Sequence, residues 1–183
     1  MKRYFLLFLF SINLLPFYAH AQTPQRHNCW DIDIEEDHTR PPYLTPHSIA
    51  KADSGLMLVA MAKEYIGTPY HYGGRSPKGF DCAGFALYLY RHFNHHIPGW
   101  SGAQAKLGTE VSDTRNLLPG DLVFFGGRHN HKVVGHTGIA IQTDPVTGVF
   151  TFIHASTHNG VIISRSTEPY YAQRYLTSRR IFK

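Results

Sequence analysis

GFDCAGFALYLYRHF, residues 79–93, decides how the chain is read. From Cys82 onward, Phe85, Leu89 and Phe93 follow at three- and four-residue spacing, the pattern of one buried helix face. The turn-rich segment PYHYGGRSPKGFD, residues 69–81, runs straight into it, so the helix is expected to start near Cys82. A cysteine in the first turn of a helix meets unpaired backbone N–H groups and the positive end of the helix dipole. Both favour the thiolate over the thiol. The chain has only two cysteines, Cys29 and Cys82. On this stretch alone Cys82 is a nucleophile, half of a disulfide, or a buried small residue.

Working outward, Asp53-Ser54 is expected to cap a preceding helix that presents Leu56, Val59, Met61, Ala62 and Ile66, with Gly67 and Pro69 stopping it. A short third helix is expected after Ser101, and LLPGD at residues 117–121 marks a turn into the strand LVFF. The period then changes to strands: HTGIAIQ at 136–142, VFTFIHA at 149–155 and GVIIS at 160–164. The linkers at 144–148 and 156–159 read as hairpin turns. Helices first and antiparallel strands after is an α+β order. There is no internal repeat and no low-complexity segment.

The amino end limits what a cysteine can be. Lys2 and Arg3, an apolar run of 15 residues from Tyr4 to Tyr18, and Ala19-His20-Ala21 follow the order of a secretory signal peptide, with cleavage expected after Ala21. That run is shorter than the roughly 18–20 residues that span a bilayer, and no later segment is long and apolar enough to span one. The mature chain is therefore expected to be exported, periplasmic or extracellular, without stable membrane insertion. Cys29 follows Arg26, His27 and Asn28, the wrong neighbourhood for an acylated lipoprotein cysteine. Residues 22–53 read as a polar arm, with an acidic run from Asp31 to Asp37 and Pro41-Pro42, and residues 54–183 as one domain. Loss of Lys2 and Arg3 lowers the formal charge from +5 to +3, with the bases scattered, which excludes a nucleic-acid patch.

Cys82 needs a base, and two histidines fall on adjacent expected strands, His136 at the start of one and His154 near the end of the next. In an antiparallel hairpin these positions lie beside each other. A cysteine, a histidine base and a second histidine to orient the first make a workable nucleophile set. His129, His131 and the pair His95-His96 lack the carboxylates or thiolates that complete a metal site, so no metal and no cofactor are expected. Asp121 reads as a turn residue, and Tyr88 to Phe93 as a packed helix face.

The order of PYHYGG, GFDCAGF, LLPGDLVFF, GHTGIAI and FIHAST resembles the NlpC/P60 family of cell-wall cysteine peptidases, from about Leu56 to the carboxyl end. The resemblance implies a papain-like α+β fold with the nucleophile at a helix N-terminus packed on an antiparallel sheet. It implies Cys82 as nucleophile, His136 as general base, His154 as the residue that orients it, and Tyr70 as an oxyanion donor beside them. For substrate binding it points to Asp81, Ala83, Ser101 and Gln104. The implied reaction is hydrolysis of peptidoglycan stem peptides or muropeptides at the bond between γ-D-glutamate and the diamino acid, through a thioester. An amidase or acyl transferase using the same site, or a non-catalytic wall-binding domain, are the rival readings. Two positions depart from the family pattern. Ala83 stands where a serine usually follows the cysteine, which bears on recognition of a free amino end. Thr137 replaces the usual valine after His136 and is expected to point to the opposite face of its strand, with little effect.

Overall fold

The structure, a computed structural model, describes the backbone of residues 46–182 and the side chains of residues 54–182. The expected signal peptide, the acidic run and Cys29 lie outside the described residues.

Helix α1 (Pro46–Lys63) opens the described chain, followed by a small hairpin of β1 (Arg75–Ser76) and β2 (Gly79–Phe80). Then come α2 (Cys82–His92), the single turn α3 (Ser101–Gln104), β3 (Thr109–Glu110) and a 3-10 turn at Thr114–Asn116. Strands β4 (Leu122–Gly126), β5 (Val134–Thr143), β6 (Phe150–Ser156) and β7 (Gly160–Arg165) precede the turn α4 (Pro169–Ala172) and β8 (Tyr175–Arg180). The larger sheet runs β3-β8-β4-β5-β6-β7, every neighbouring pair antiparallel. The fold is α+β.

Side-chain alternation along the strands divides the core into two layers. On one face of the sheet, Leu122, Phe124, Ile139, Ile153 and Ala155 pack with Phe85, Ala86 and Leu89 of α2 and with Leu58, Val59 and Ala62 of α1. On the other, Val123, Phe125, Ala140, Phe150 and Phe152 gather around Tyr171. β4 is buried along its whole length, so LVFF carries no alternation of polarity. Its inner position comes from pairing with β5 on one side and β8 on the other.

Helix α1 differs from the sequence expectation in start and in phase. It runs unbroken through Asp53-Ser54, and Pro46 supplies a first-turn residue with φ already set for a helix. Leu56 and Ile66, expected inside, are exposed, while Leu58 is fully buried. The phase is fixed by Gly55: a Cβ there would collide with the Pro119 carbonyl oxygen, so the helix meets the LLPGD turn backbone to backbone. That turn also receives the Tyr90 hydroxyl on the Gly120 carbonyl. Asp121 accepts the Leu118 N–H at 2.9 Å, the turn role expected of it. It also holds Arg180 of β8 through contacts of 2.9 and 2.7 Å.

Candidate active site

Cys82 is the first residue of α2, and Asp81 is its N-cap. The Asp81 carboxylate accepts the Gly84 N–H at 2.6 Å on one oxygen and the Gly73 N–H at 2.9 Å on the other. One side chain thus caps the helix and ties down the loop that carries Tyr70, which is bridged to Phe80. Cys82 is a free, half-buried thiol. Burial pushes its pKa up, the backbone N–H of Thr137 pulls it down, Asp81 raises it, and the N–H groups of Ala83 and of Cys82 itself lower it. The Thr137 contact places the sulfur against the start of β5, next to His136.

His136 sits opposite Phe125 in the β4–β5 register. Its Nε2 lies 3.0 Å from Nδ1 of His154. On the far side of the His154 ring, Nε2 lies 3.1 Å from the Tyr171 hydroxyl and 3.3 Å from Ser164 Oγ. The two imidazoles stand edge to face at 85°, and Phe125, Phe152 and Tyr171 surround them. This apolar setting disfavours the charged rings. Burial lowers the pKa of His136 to about 4. Burial and then the neighbouring His136 lower that of His154 to about 3. Both rings are therefore neutral at pH 7, and each must donate from one nitrogen and accept on the other.

Cys82, His136, His154 and Tyr70 are brought to one region. The Tyr70 pKa is raised by burial and then by the nearby Cys82 and Asp81. Ala83 is buried beneath the surface, and so are Ser101 and Gln104. Gln104 Nε2 donates to the Ala83 carbonyl at 2.9 Å and to the Pro98 carbonyl at 2.8 Å, bracing the first turn of α2 from α3. The Thr137 side chain is fully buried on the face opposite His136, as strand alternation requires, and its hydroxyl has no hydrogen-bond partner among the described residues. Tyr171 and Ser164 escape sequence reasoning, since a Tyr-Tyr pair before β8 and a serine in an apolar strand carry no motif. Among the described residues no three His, Cys, Asp or Glu side chains converge on a metal-sized space. His131 instead accepts a hydrogen bond from Arg174 at 2.8 Å. No helix among the described residues is long and apolar enough to cross a membrane.

Comparison with known proteins gives the same region of the chain a family. The chain is 39% identical over 141 residues to "Probable endopeptidase NlpC" of Escherichia coli, covering 74% of this chain and 86% of the relative. It is 39% identical over 119 residues to "Murein DD-endopeptidase MepS/Murein LD-carboxypeptidase" of the same species, covering 64% and 58%. To "Gamma-DL-glutamyl hydrolase" of Bacillus subtilis it is 36% identical over 144 residues, covering 76% of this chain but only 33% of the relative, so it spans about a third of that protein. Among solved structures, an NlpC/P60 family protein from Bacillus cereus superposes with a TM-score of 0.62 at 32% identity, over 72% of this chain and 40% of that one. The NlpC/p60 domain of the peptidoglycan hydrolase SagA gives 0.57 at 32%, over 69% of this chain and 98% of that one. The NlpC/P60 family model matches residues 67–180, from the Tyr70 loop to the end of β8, and the chain belongs to the NlpC/P60 family.

Proposed function

We propose that the protein is an exported cysteine endopeptidase that hydrolyses peptide stems of peptidoglycan between γ-D-glutamate and the diamino acid. The observation that carries this reading is the 3.0 Å contact between His136 and His154 beside a thiol that takes the N–H of Thr137, the residue after His136. The relatives named as an endopeptidase, a murein endopeptidase and a γ-glutamyl hydrolase support the substrate class.

The tautomers follow from the hydrogen bonds. For His136 to accept the thiol proton on Nδ1, its Nε2 must carry hydrogen and donate to His154 Nδ1. His154 then carries its own proton on Nε2 and donates toward Tyr171 and Ser164. Cys82 gives its proton to His136 as the sulfur attacks the scissile carbonyl. The imidazolium that forms is held by His154, the amine leaves with that proton, and water hydrolyses the thioester with His136 again as base. Neither burial of the thiol nor of the imidazole favours a resting ion pair, so proton transfer accompanies attack rather than preceding it. Tyr70 donates to the oxyanion. Asp81 retains lone pairs beyond its two backbone bonds for a substrate amine. Ala83, Ser101 and Gln104 support the Asp81 end of α2 from beneath the surface, Gln104 through its bond to the Ala83 carbonyl.

Digestion of purified peptidoglycan and defined muropeptides, with products identified by mass spectrometry, tests the assignment. A new amino group on the diamino acid is the expected product. One on L-alanine would instead make the protein an amidase, transfer to an added amine an acyl transferase, and absence of any product a binding domain.

A further inference from the structure

A cleft of ≈ 360 Å³ lies along α2, and neither Cys82 nor the two site histidines line it. Its floor is Leu87, Tyr88 and Ile97, and its rim is Arg75, Arg91, His95 and His96. No carboxylate lines it, and neither guanidinium has a carboxylate partner among the described residues. Unpaired cations over an apolar floor suit one chemistry: an anionic group carried next to a small apolar one.

The cleft is built into the fold. Leu87, Tyr88 and Arg91 share one face of α2 at helical spacing. The opposite wall comes from the chain turning back after the helix. Asn94 adopts the left-handed conformation, φ 58°, and the His95 N–H bonds the Tyr90 carbonyl at 3.0 Å. His95 is then held edge-on against Tyr90 and Phe182, with ring centroids 6.4 and 5.0 Å apart. Arg75 closes one end: its stem lies against Gly84, and its guanidinium lies so close to Gly99 that a Cβ there would sit 2.6 Å from Nη2. In the small hairpin Arg75 pairs with Phe80, two residues before Cys82. Leu87, Tyr88 and Arg91 stand five to nine residues along α2 from Cys82, roughly 8–14 Å of helix rise, a length that a few extended peptide residues cover.

We infer that this cleft is a subsite for the free carboxylate of a peptide ending in a small apolar residue, with Arg75 and Arg91 on the carboxylate and Leu87, Tyr88 and Ile97 under the side chain. The inference rests on the peptidase reading above for its substrate, and its test separates the two. Two soluble stem peptides of one sequence, ending in D-alanine as carboxylate or as amide, are compared by kcat/KM. The wild type is expected to favour the carboxylate by roughly tenfold to a hundredfold, the range of one or two charge-assisted hydrogen bonds. Arg75→Gln with Arg91→Gln brings the ratio near one. Gly99→Ala, which leaves both arginines in place and moves one guanidinium, lowers it. A wild-type ratio near one, or a ratio unchanged in the double variant, overturns the subsite. If the wild type cleaves neither peptide, the peptidase reading fails by itself, and binding decides the subsite. Amide shifts of residues 87–97 in Cys82→Ala with the carboxylate peptide, absent with the amide, support it. Equal shifts with both peptides or with inorganic phosphate, or no shifts at all, overturn it.

Discussion

Nε2 of His136 lies 3.0 Å from Nδ1 of His154, and both rings are packed among aromatic side chains that keep them uncharged. This contact sets the ring orientation of the proposed base. Burial of the rings also makes the fold sensitive to acid, by lowering the pKa of each histidine, and for His154 the neighbouring His136 adds to it.

Unfolded imidazoles take up protons near pH 6.5, whereas the folded pair does so only near about 4 and about 3. Between those limits the unfolded chain binds more protons. Stability is therefore complete above about pH 6.5 and falls as pH drops toward 4, by up to about 1.4 kcal/mol per pH unit for each imidazole. Urea midpoints measured from pH 7.5 to 4.5 are expected to fall, and His136→Asn to flatten the slope. A midpoint constant across that range would contradict a pair held neutral in the folded protein. Activity should correspondingly hold to well below pH 6.5 before His136 gains a proton.

Tyr171 and Ser164 both reach His154 Nε2, so removing one leaves the other. Tyr171→Phe is expected to lower kcat by roughly twofold to tenfold with KM little changed, the range of one net hydrogen bond. Adding Ser164→Ala should deepen the loss beyond the sum of the two, because His154 then has no partner to fix its tautomer. Steady-state kinetics on a soluble stem peptide would measure this. A fall in KM and kcat together would point to repacking instead.

Asp81 joins two backbone segments through its two oxygens. Asp81→Ala is expected to cost about 1–2 kcal/mol in stability by uncapping α2, and to free the Tyr70 loop. Asp81→Asn keeps an oxygen for one N–H and should cost less. Chemical denaturation of the three proteins orders them wild type, Asn, Ala. If Asp81 also binds a substrate amine, the Asn variant loses kcat/KM on stems with a free amino end out of proportion to its stability.

The Asp121 carboxylate is buried, and Arg180 reaches it from β8, with the guanidinium partly in water. Arg180→Met strands that carboxylate and is expected to destabilise by about 3 kcal/mol. Asp121→Asn with Arg180→Met should recover much of this, because no buried charge remains. Thermal melts would show it, and equal losses in the single and double variants would contradict it.

Much of this architecture is legible in the sequence. The helix at Cys82 follows from Phe85 and Leu89, and the long hairpin strands from GIAI and FTFI, because those segments carry their own periodicity. β8 is not legible. YLTSRR has two arginines at its end, and it becomes a strand because β4 pairs with it and because Asp121 holds Arg180. The phase of α1 is hidden for a related reason: the contact between Gly55 and the Pro119–Gly120 turn is tertiary, and nothing local to LMLVAMAK separates Leu58 from Leu56. Near the site, Cys82, His136 and His154 stand out through residue type and place. Tyr171 reaches His154 from a four-residue turn, where no spacing rule points to it.

The most direct test is the rate at which Cys82→Ala cleaves a defined muropeptide, followed by mass spectrometry, beside its melting temperature. The expected result is loss of all product with a melt close to wild type, and wild-type activity abolished by thiol alkylation but untouched by chelator. A Cys82→Ala protein that still releases the same product at the wild-type rate would contradict the assignment of Cys82 as nucleophile.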